Sequence, residues 1–253
     1  MFENTNNTKT DTLQRKFIKY ILGVSKSSPN IAIYGDTGEV PLSIKGYRLV
    51  VNYWKRLNSL PDTNLAKIAL MENIDLRTNW IMTIEKLLKT FNLIETTSND
   101  IQFKRESKQN STNYYKAHWY TTLESGNSSR LLFYQKINND FTPAKYINLP
   151  VFNTRKAIAK IRCSDHCLEI EKGRHRNTPR DVRLCKMCSD MAIEDEGHFL
   201  LKCKKYEHLR KEHHINTDNV TQLMNVENQE SLAQYLISAF ELRQATFEYI
   251  NKQ

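Results

Sequence analysis

The stretch Cys185-Lys-Met-Cys188, followed by nine residues to His198 and four more to Cys203, decides how this chain folds. A Cys-x-x-Cys turn brings two thiolates to one point. A His and a Cys just over one helical turn apart can complete the ligand set from a short helix. The spacing therefore predicts a closed tetrahedral zinc site made by Cys185, Cys188, His198 and Cys203. The alternative is three buried or free cysteines that happen to fall near a histidine.

Positive charge surrounds these cysteines. From Lys172 to Lys186 there are six Lys or Arg residues against the single acid Asp181, a net charge of +5. Such runs contact phosphates, and the arginine guanidinium binds phosphate through two parallel hydrogen bonds. We predict nucleic-acid contact by Lys172, Arg174, Arg176, Arg180, Arg183, Lys186, Lys204 and Lys205. The alternative is a solvated charged loop.

The composition favours a helical globular protein. The 253 residues are 40% hydrophobic and include only seven Gly and six Pro. A net charge of +9 indicates an anionic partner, and nucleic acid is the one we expect. No apolar run approaches the roughly 18 residues of a membrane-spanning helix, so no membrane partner is predicted. The composition gives no prediction of the oligomeric state.

The five cysteines predict a reducing environment. Their number is odd and no signal peptide is recognisable, which favours thiol or metal chemistry over disulfides. The expected location is intracellular, either nuclear or cytoplasmic. Cys163 and Cys167 are interpreted as buried thiols, with a second metal involving His166 or His175 as the alternative.

Apolar residues at helical spacing predict helices along most of the chain. The expected helices are 13–22 with Gly23 as its stop, 41–57, 80–91, the basic helix 154–162, and a long terminal helix 230–250.

Two further segments have expected structures. Tyr34-Gly-Asp-Thr-Gly38 lacks the spacing of a phosphate-binding loop and predicts a tight turn. A polar stretch, 96–113, is expected to separate the helical bundle from the aromatic segment Tyr114–Tyr120. That segment predicts helix core, with a base-stacking platform as the alternative.

These elements predict a mainly α fold, a helical bundle followed by a small zinc-stabilised C-terminal subdomain and a long terminal helix. The expected boundaries are a disordered 1–12, a helical region 13–150, a basic and zinc-bearing region 151–215, and a terminal helical region 216–253.

Two parts of the chain resemble the C-terminal region of non-LTR (LINE-type) retrotransposon reverse transcriptases. Residues 16–42 are similar to the segment that follows the thumb of these enzymes. The resemblance is sharper in Lys160–Arg174, in Cys185–Cys188, and in Glu194–Cys203 with the Tyr and Arg that follow. It spans most of the chain, apart from about 96–113.

The resemblance implies a Cys2HisCys zinc-binding region that helps such an enzyme hold RNA or DNA during target-primed reverse transcription, with the same four residues as ligands. No Tyr-x-Asp-Asp pair is present, so the catalytic palm is absent and we expect no enzyme. A closed four-ligand site also leaves no open position for a reactive water. The predicted function is a zinc-stabilised RNA- or DNA-binding region without its catalytic domain. The alternative is a zinc-folded structural or protein-interaction module with no direct nucleic-acid contact.

Overall fold

The computed structural model describes residues 8–93, 99–125 and 128–250, and within these ranges the predicted mainly α fold is confirmed. The α-helices are α1 (Lys9–Leu22), α2 (Asn30–Thr37), α3 (Leu42–Asn58), α4 (Leu65–Asp75), α5 (Asn79–Thr90), α6 (Asp100–Glu124), α7 (Leu132–Ile137), α8 (Phe152–Arg162), α9 (Glu169–His175), α10 (Glu207–Glu212), α11 (Val220–Met224) and α12 (Gln229–Ile250). The described residues contain no strand, only an isolated antiparallel bridge between Leu184 and Ile193. No helix found there has both the length and the apolar character needed to cross a membrane.

The chain divides into two compact units whose limits differ from the predicted boundaries. Among the described residues, the first unit contains those up to Gln14 together with Val40–Thr121, and the second contains Arg15–Glu39 together with those from Thr122 onward. The region expected at 13–150 is therefore shared between the units. The metal-ligand candidates and the terminal helix belong to the same unit.

The first unit is built on the periodic apolar face of α5. Ile84, Leu87 and Leu88 of this helix are buried with Val51 of α3 and Phe103 of α6. The predicted helices 41–57 and 80–91 are confirmed to within a residue or two at their ends. Their apolar stripes form the core of this unit, as expected for amphipathic helices.

Helix α6 corrects the prediction for the polar stretch 96–113. Residues 94–98 lie outside the described residues, and from Asp100 the chain is helical through to Glu124. The apolar pattern of the sequence did not predict this helix, because its buried stripe contains two serines at four-residue spacing. That stripe consists of Phe103, Ser107, Ser111, Tyr115 and Trp119, each 3% exposed or less. The aromatic segment therefore supplies helix core, as expected, and its two buried rings are not open for base stacking.

The second unit is organised by a buried ion pair. Arg162 Nε and Nη2 donate to the carboxylate of Asp36 at 2.9 and 2.7 Å, and both side chains are at most 2% exposed. The hydroxyls of Tyr134 and Tyr146 donate to the same carboxylate at 3.0 and 2.8 Å. This network joins α2, α7 and α8 and satisfies a charge that would be costly to bury alone.

The Asp36 network explains why the predicted turn at 34–38 is wrong. Gly35 and Asp36 continue α2, which ends at Thr37, and Gly38 caps the helix with a φ of +65°. A Cβ at Gly38 would also lie 2.7 Å from the ring of Pro143, so glycine is required there on two grounds.

The predicted disorder of 1–12 is wrong in its last residues. Residues 1–7 lie outside the described residues, but α1 begins at Lys9. The backbone N–H of Asp11 donates to Oγ1 of Thr8 at 3.1 Å, which gives this helix a side-chain cap. At its other end the helix stops at Gly23, with φ +67°, as predicted.

Candidate metal centre

A short hairpin presents the first two cysteines. The Leu184–Ile193 bridge is closed by hydrogen bonds from Cys185 N to Ala192 O at 2.8 Å and from Glu194 N to Arg183 O at 2.9 Å. The chain reverses direction between the two arms of this hairpin. The Cys-x-x-Cys turn is therefore held in place by backbone hydrogen bonds.

A π-helix, His198–Lys202, presents the other two candidates. The backbone N–H of Cys203 donates to the carbonyl of His198 at 2.8 Å, an i to i+5 bond. The sequence predicted a short helix, and the wider π turn is the correction. Because a π turn holds more residues than an α turn, it brings side chains five apart onto one side.

The structure brings all four predicted ligands together. One ligand atom from each of Cys185, Cys188, His198 and Cys203 lies within 4.8 Å of all the others, which is close enough to hold a metal ion. The sulfur atoms of Cys185 and Cys203 are 3.9 Å apart, and the sulfur of Cys188 is 3.4 Å from Nε2 of His198. Among the described residues this is the one such group of three or more, so Cys163 and Cys167 form no second site.

Backbone amides support each sulfur. The N–H groups of Met187, Asp190 and Lys205 donate to the sulfurs of the cysteines two residues before them. Donors aimed at sulfur stabilise thiolates, the form that binds metals.

The protonation preferences of the ligands reflect this close packing. The Cys185–Cys203 hydrogen bond lowers the pKa of Cys203 and, with burial, raises that of Cys185. Burial also raises the pKa of Cys188 and lowers that of His198. A lowered histidine pKa favours the neutral imidazole, which is the form that ligates metals.

Helix α12 packs beneath the π-helix. Phe199 is fully buried, with ring centroids 4.9 Å from Tyr206 and 4.8 Å from Phe240. The hydroxyl of Tyr235 lies 3.2 Å from the carbonyl of Phe199 and 3.0 Å from that of Leu200. Those carbonyls belong to the element that carries His198, so α12 is part of the support of the metal centre.

A second buried ion pair ties the ligand loop to α12. Arg243 Nε and Nη2 donate to the carboxylate of Glu194 at 2.9 and 2.7 Å, and the two side chains are 3% and 1% exposed. Glu194 also accepts the backbone N–H of Glu169 at 2.7 Å, at the start of α9. One carboxylate therefore connects the hairpin, α9 and α12.

The structure pairs most of the predicted phosphate-binding cations with acids. Glu171 accepts from Arg174 at 2.5 Å, Glu169 accepts from Arg176, and Lys186 lies 3.8 Å from Glu169. Arg180 pairs with Asp195 at 3.4 Å and Lys204 with Asp190 at 2.9 Å.

Arg183 has a different role from its neighbours. Its guanidinium donates to the backbone carbonyl of Thr178 through Nε and Nη2, at 2.9 and 2.7 Å, and to that of Ile170 through Nη1 at 2.8 Å. A Cβ on Gly173 would meet this side chain at 2.6 Å. Arg183 therefore braces the basic loop from inside.

The remaining two predicted cations are exposed. The ammonium of Lys172 lies 5.8 Å from the centroid of the Phe247 ring, on the side of α12. Lys205 has no acid within ion-pair distance among the described residues. The predicted basic residues therefore do not form one uninterrupted patch.

No known protein family, curated protein or solved structure matches this chain. The resemblance to reverse transcriptases therefore stays a prediction, and the site geometry carries the functional proposal.

Proposed function

We propose that the four-residue cluster binds one zinc ion and that the region it folds binds RNA or DNA, as the C-terminal region of a non-LTR retrotransposon reverse transcriptase would. Zn–S and Zn–N distances of about 2.3 and 2.0 Å place tetrahedral ligand atoms roughly 3.5 Å (S to N) to 3.8 Å (S to S) apart. The sulfur–sulfur and sulfur–nitrogen separations of 3.9 and 3.4 Å are close to these values. This agreement carries the zinc proposal, and three thiolates with one imidazole are a ligand set that suits zinc.

The zinc has a structural role in this proposal. Three sulfurs and one nitrogen fill a tetrahedral shell, so the ion holds the hairpin against the π-helix. The residues that would touch nucleic acid are the cations around it.

The exposed cations support a phosphate-contacting surface. The side chains of Arg176, Arg180 and Lys186 are 54%, 52% and 57% exposed. Arg176 and Lys186 share the single carboxylate of Glu169, so one positive charge of that group is left without a matching acid. Their exposed donors remain able to contact phosphate oxygens.

The test is the salt dependence of nucleic-acid binding by the zinc-loaded protein. The triple variant R176Q/R180Q/K186Q should bind more weakly than the parent. The slope of log binding constant against log salt concentration should be less steep, by about 0.7 per lost phosphate contact on single strands and about 0.9 on duplex. The control variant K16Q/K26Q/K211Q removes the same charge from exposed lysines elsewhere in the second unit and should leave the slope unchanged. Binding indifferent to salt and to the triple variant would contradict the proposal.

The alternative, a zinc-folded protein-interaction module, is favoured by one exposed face in the first unit. Leu42, Leu49 and Tyr53 share one side of α3 and are 42%, 62% and 53% exposed. Under this alternative, the parent protein binds a protein partner and does not bind nucleic acid. The variant L49D/Y53D should then lose binding of the protein partner.

A further inference from the structure

The second unit contains a cavity of about 770 Å³ between α8 and α12, outside the metal centre. This volume is within the usual range for a small-ligand site, about 300–1,000 Å³. Its apolar lining includes Ile237, Phe240 and Phe247 of α12.

The cavity lining includes three lysines that form no ion pair. These are Lys156 and Lys160 of α8 and Lys172 of α9, and none pairs with a carboxylate in the part of the chain that the structure describes. Asp165 also lines the cavity, and its carboxylate accepts the backbone N–H of Ser25 at 2.8 Å. Unpaired lysines around one cavity favour an anionic ligand group, and phosphate is the anion that lysine commonly binds.

The cavity also has a buried ring nitrogen without a partner. The side chain of His166 lines it and is 0% exposed, its Nε2 lies 3.1 Å from Oε1 of Glu196, and its Nδ1 has no hydrogen-bond partner. An ionised carboxylate only accepts, so Nε2 donates to Glu196 and Nδ1 is the ring nitrogen left for a ligand. A buried polar atom without a partner is costly unless a ligand satisfies it.

The cavity lining also contains acceptors. Glu241 and Glu248 of α12 line the cavity, and Gln244 donates to Glu248 at 2.8 Å. A suitable ligand therefore combines an anionic group, an apolar flat body, and N–H or O–H donors.

We propose that this cavity binds a nucleoside monophosphate group, either as a free nucleotide or as the phosphorylated end of a strand. The phosphate lies against Lys156, Lys160 and Lys172, and the base packs on the apolar residues of α12. A ribose hydroxyl forms a hydrogen bond with His166 Nδ1, and a base amino group donates to the glutamates. This site is separate from the cationic surface of Arg176, Arg180 and Lys186, and its test is separate from that of the proposed function.

The experiment is calorimetric titration of the zinc-loaded protein with AMP, CMP, GMP and UMP, with inorganic phosphate and unphosphorylated nucleosides as comparison ligands. At least one monophosphate should bind more tightly than its nucleoside and more tightly than phosphate. The variant K160Q/K172Q should weaken that binding roughly tenfold or more, as expected from the loss of charge-assisted hydrogen bonds. The control K26Q/K211Q, with the same charge change at exposed positions, should keep the parent Kd.

Cys167 provides a second readout at the same cavity. It lines the cavity and is half-buried, whereas Cys163 is fully buried. A bound nucleotide should slow the modification of Cys167 by iodoacetamide, measured by peptide mass spectrometry, and Cys163 should remain unmodified in both conditions.

Two oligonucleotides, one with a 5′-phosphate and one with a 5′-hydroxyl, separate the two sources of the ligand. Displacement of the mononucleotide by the phosphorylated strand alone indicates a strand end, and no displacement indicates a free nucleotide. The variant R176Q/R180Q/K186Q should keep mononucleotide binding, so failure of the proposed function is distinguishable. Absence of monophosphate binding at millimolar concentration, or equal Kd values for K160Q/K172Q and its control, would overturn the proposal.

Discussion

At the scale of single residues, Arg162 holds the second unit together through its contact with Asp36. Burial lowers the pKa of Arg162, but the charge and hydrogen bonds of Asp36 raise it, and the net pKa is raised. The guanidinium also lies within 6 Å of the rings of Tyr134 and Tyr146. The contacts with Asp36 and the two rings therefore keep the Arg162 guanidinium charged.

Removal of Arg162 should be more costly than removal of the whole pair. The variant R162M leaves the Asp36 charge buried and should lower the free energy of unfolding by about 3–5 kcal/mol, measured by urea denaturation. The double variant D36N/R162M removes both charges and should recover part of this loss. Equal stability of R162M and the parent protein would contradict the structural role of the pair.

The two tyrosines of this network give a pH dependence. Burial, followed by the negative charge of Asp36, raises the pKa of both Tyr134 and Tyr146 well above 10. The unfolded chain then loses protons before the folded chain does, so this stability is fully present below pH 10 and falls as pH rises above it. The slope should reach about 1.4 kcal/mol per pH unit for each tyrosine. Phenolate absorbance at 295 nm should show both rings ionising only on unfolding. Ionisation of these rings in the folded protein would disprove the raised pKa of the two tyrosines.

Arg183 was predicted to bind phosphate with its neighbours, and its contacts suggest a separate experiment. R183A removes three hydrogen bonds to backbone carbonyls and should lower the free energy of unfolding by about 1.5–3 kcal/mol. R180A, at an exposed cation whose partner Asp195 is itself 34% exposed, should weaken nucleic-acid binding and leave stability nearly unchanged. Urea denaturation and binding titrations of the two variants should show opposite patterns.

At the scale of elements, the grouping of the four ligand candidates was predictable from the sequence, and the contacts that support the group were not. Cys185, Cys188, His198 and Cys203 lie within 19 residues of the sequence. Such short separations limit how far apart the four side chains can lie in the folded chain. The partner of Glu194 is Arg243, 49 residues away, and no local pattern identifies it. The ion pair within α9 was easier to predict from the sequence. Glu171 and Arg174 are three residues apart, a spacing that often forms an ion pair on a helix.

Two helices were not predicted because their buried residues are not all apolar. The buried stripe of α6 contains serines, and α2 contains Gly35 and Asp36, residue types that are typical of turns. In both helices, tertiary contacts outweighed weak local propensity. The terminal helix, with its regular apolar spacing, was predicted to within one residue of its observed start.

The Glu194–Arg243 pair predicts that α12 influences the metal centre. R243M leaves the Glu194 charge buried, loosens the ligand hairpin and should speed zinc release to a chromogenic chelator by about tenfold. Q244A, one residue along on the exposed side of α12, is the matched control and should release zinc at the parent rate. Identical rates for R243M and Q244A would show that the metal centre does not depend on this pair.

At the scale of the whole molecule, the ligands and the tryptophans belong to different units. All four ligand candidates are in the second unit, whereas Trp54, Trp80 and Trp119 are in the first. Zinc removal should therefore loosen one unit selectively.

This selectivity can be measured by hydrogen exchange with and without a chelator. Amides of α8, α9 and α12 should exchange faster after zinc removal, because metal-dependent folding is lost with the ion. Amides of α3 and α5, and tryptophan fluorescence, should be unchanged. A uniform increase across both units, or none in either, would be inconsistent with this division.

The central claim is that Cys185, Cys188, His198 and Cys203 hold one zinc ion, and X-ray absorption of the purified protein tests it most directly. We predict one zinc per chain, with three sulfur ligands at about 2.3 Å and one nitrogen at about 2.0 Å. The variant C203S should lose a sulfur ligand and lower the zinc content, whereas C163S should keep both. Absence of stoichiometric zinc, or a shell rich in oxygen, would contradict the claim.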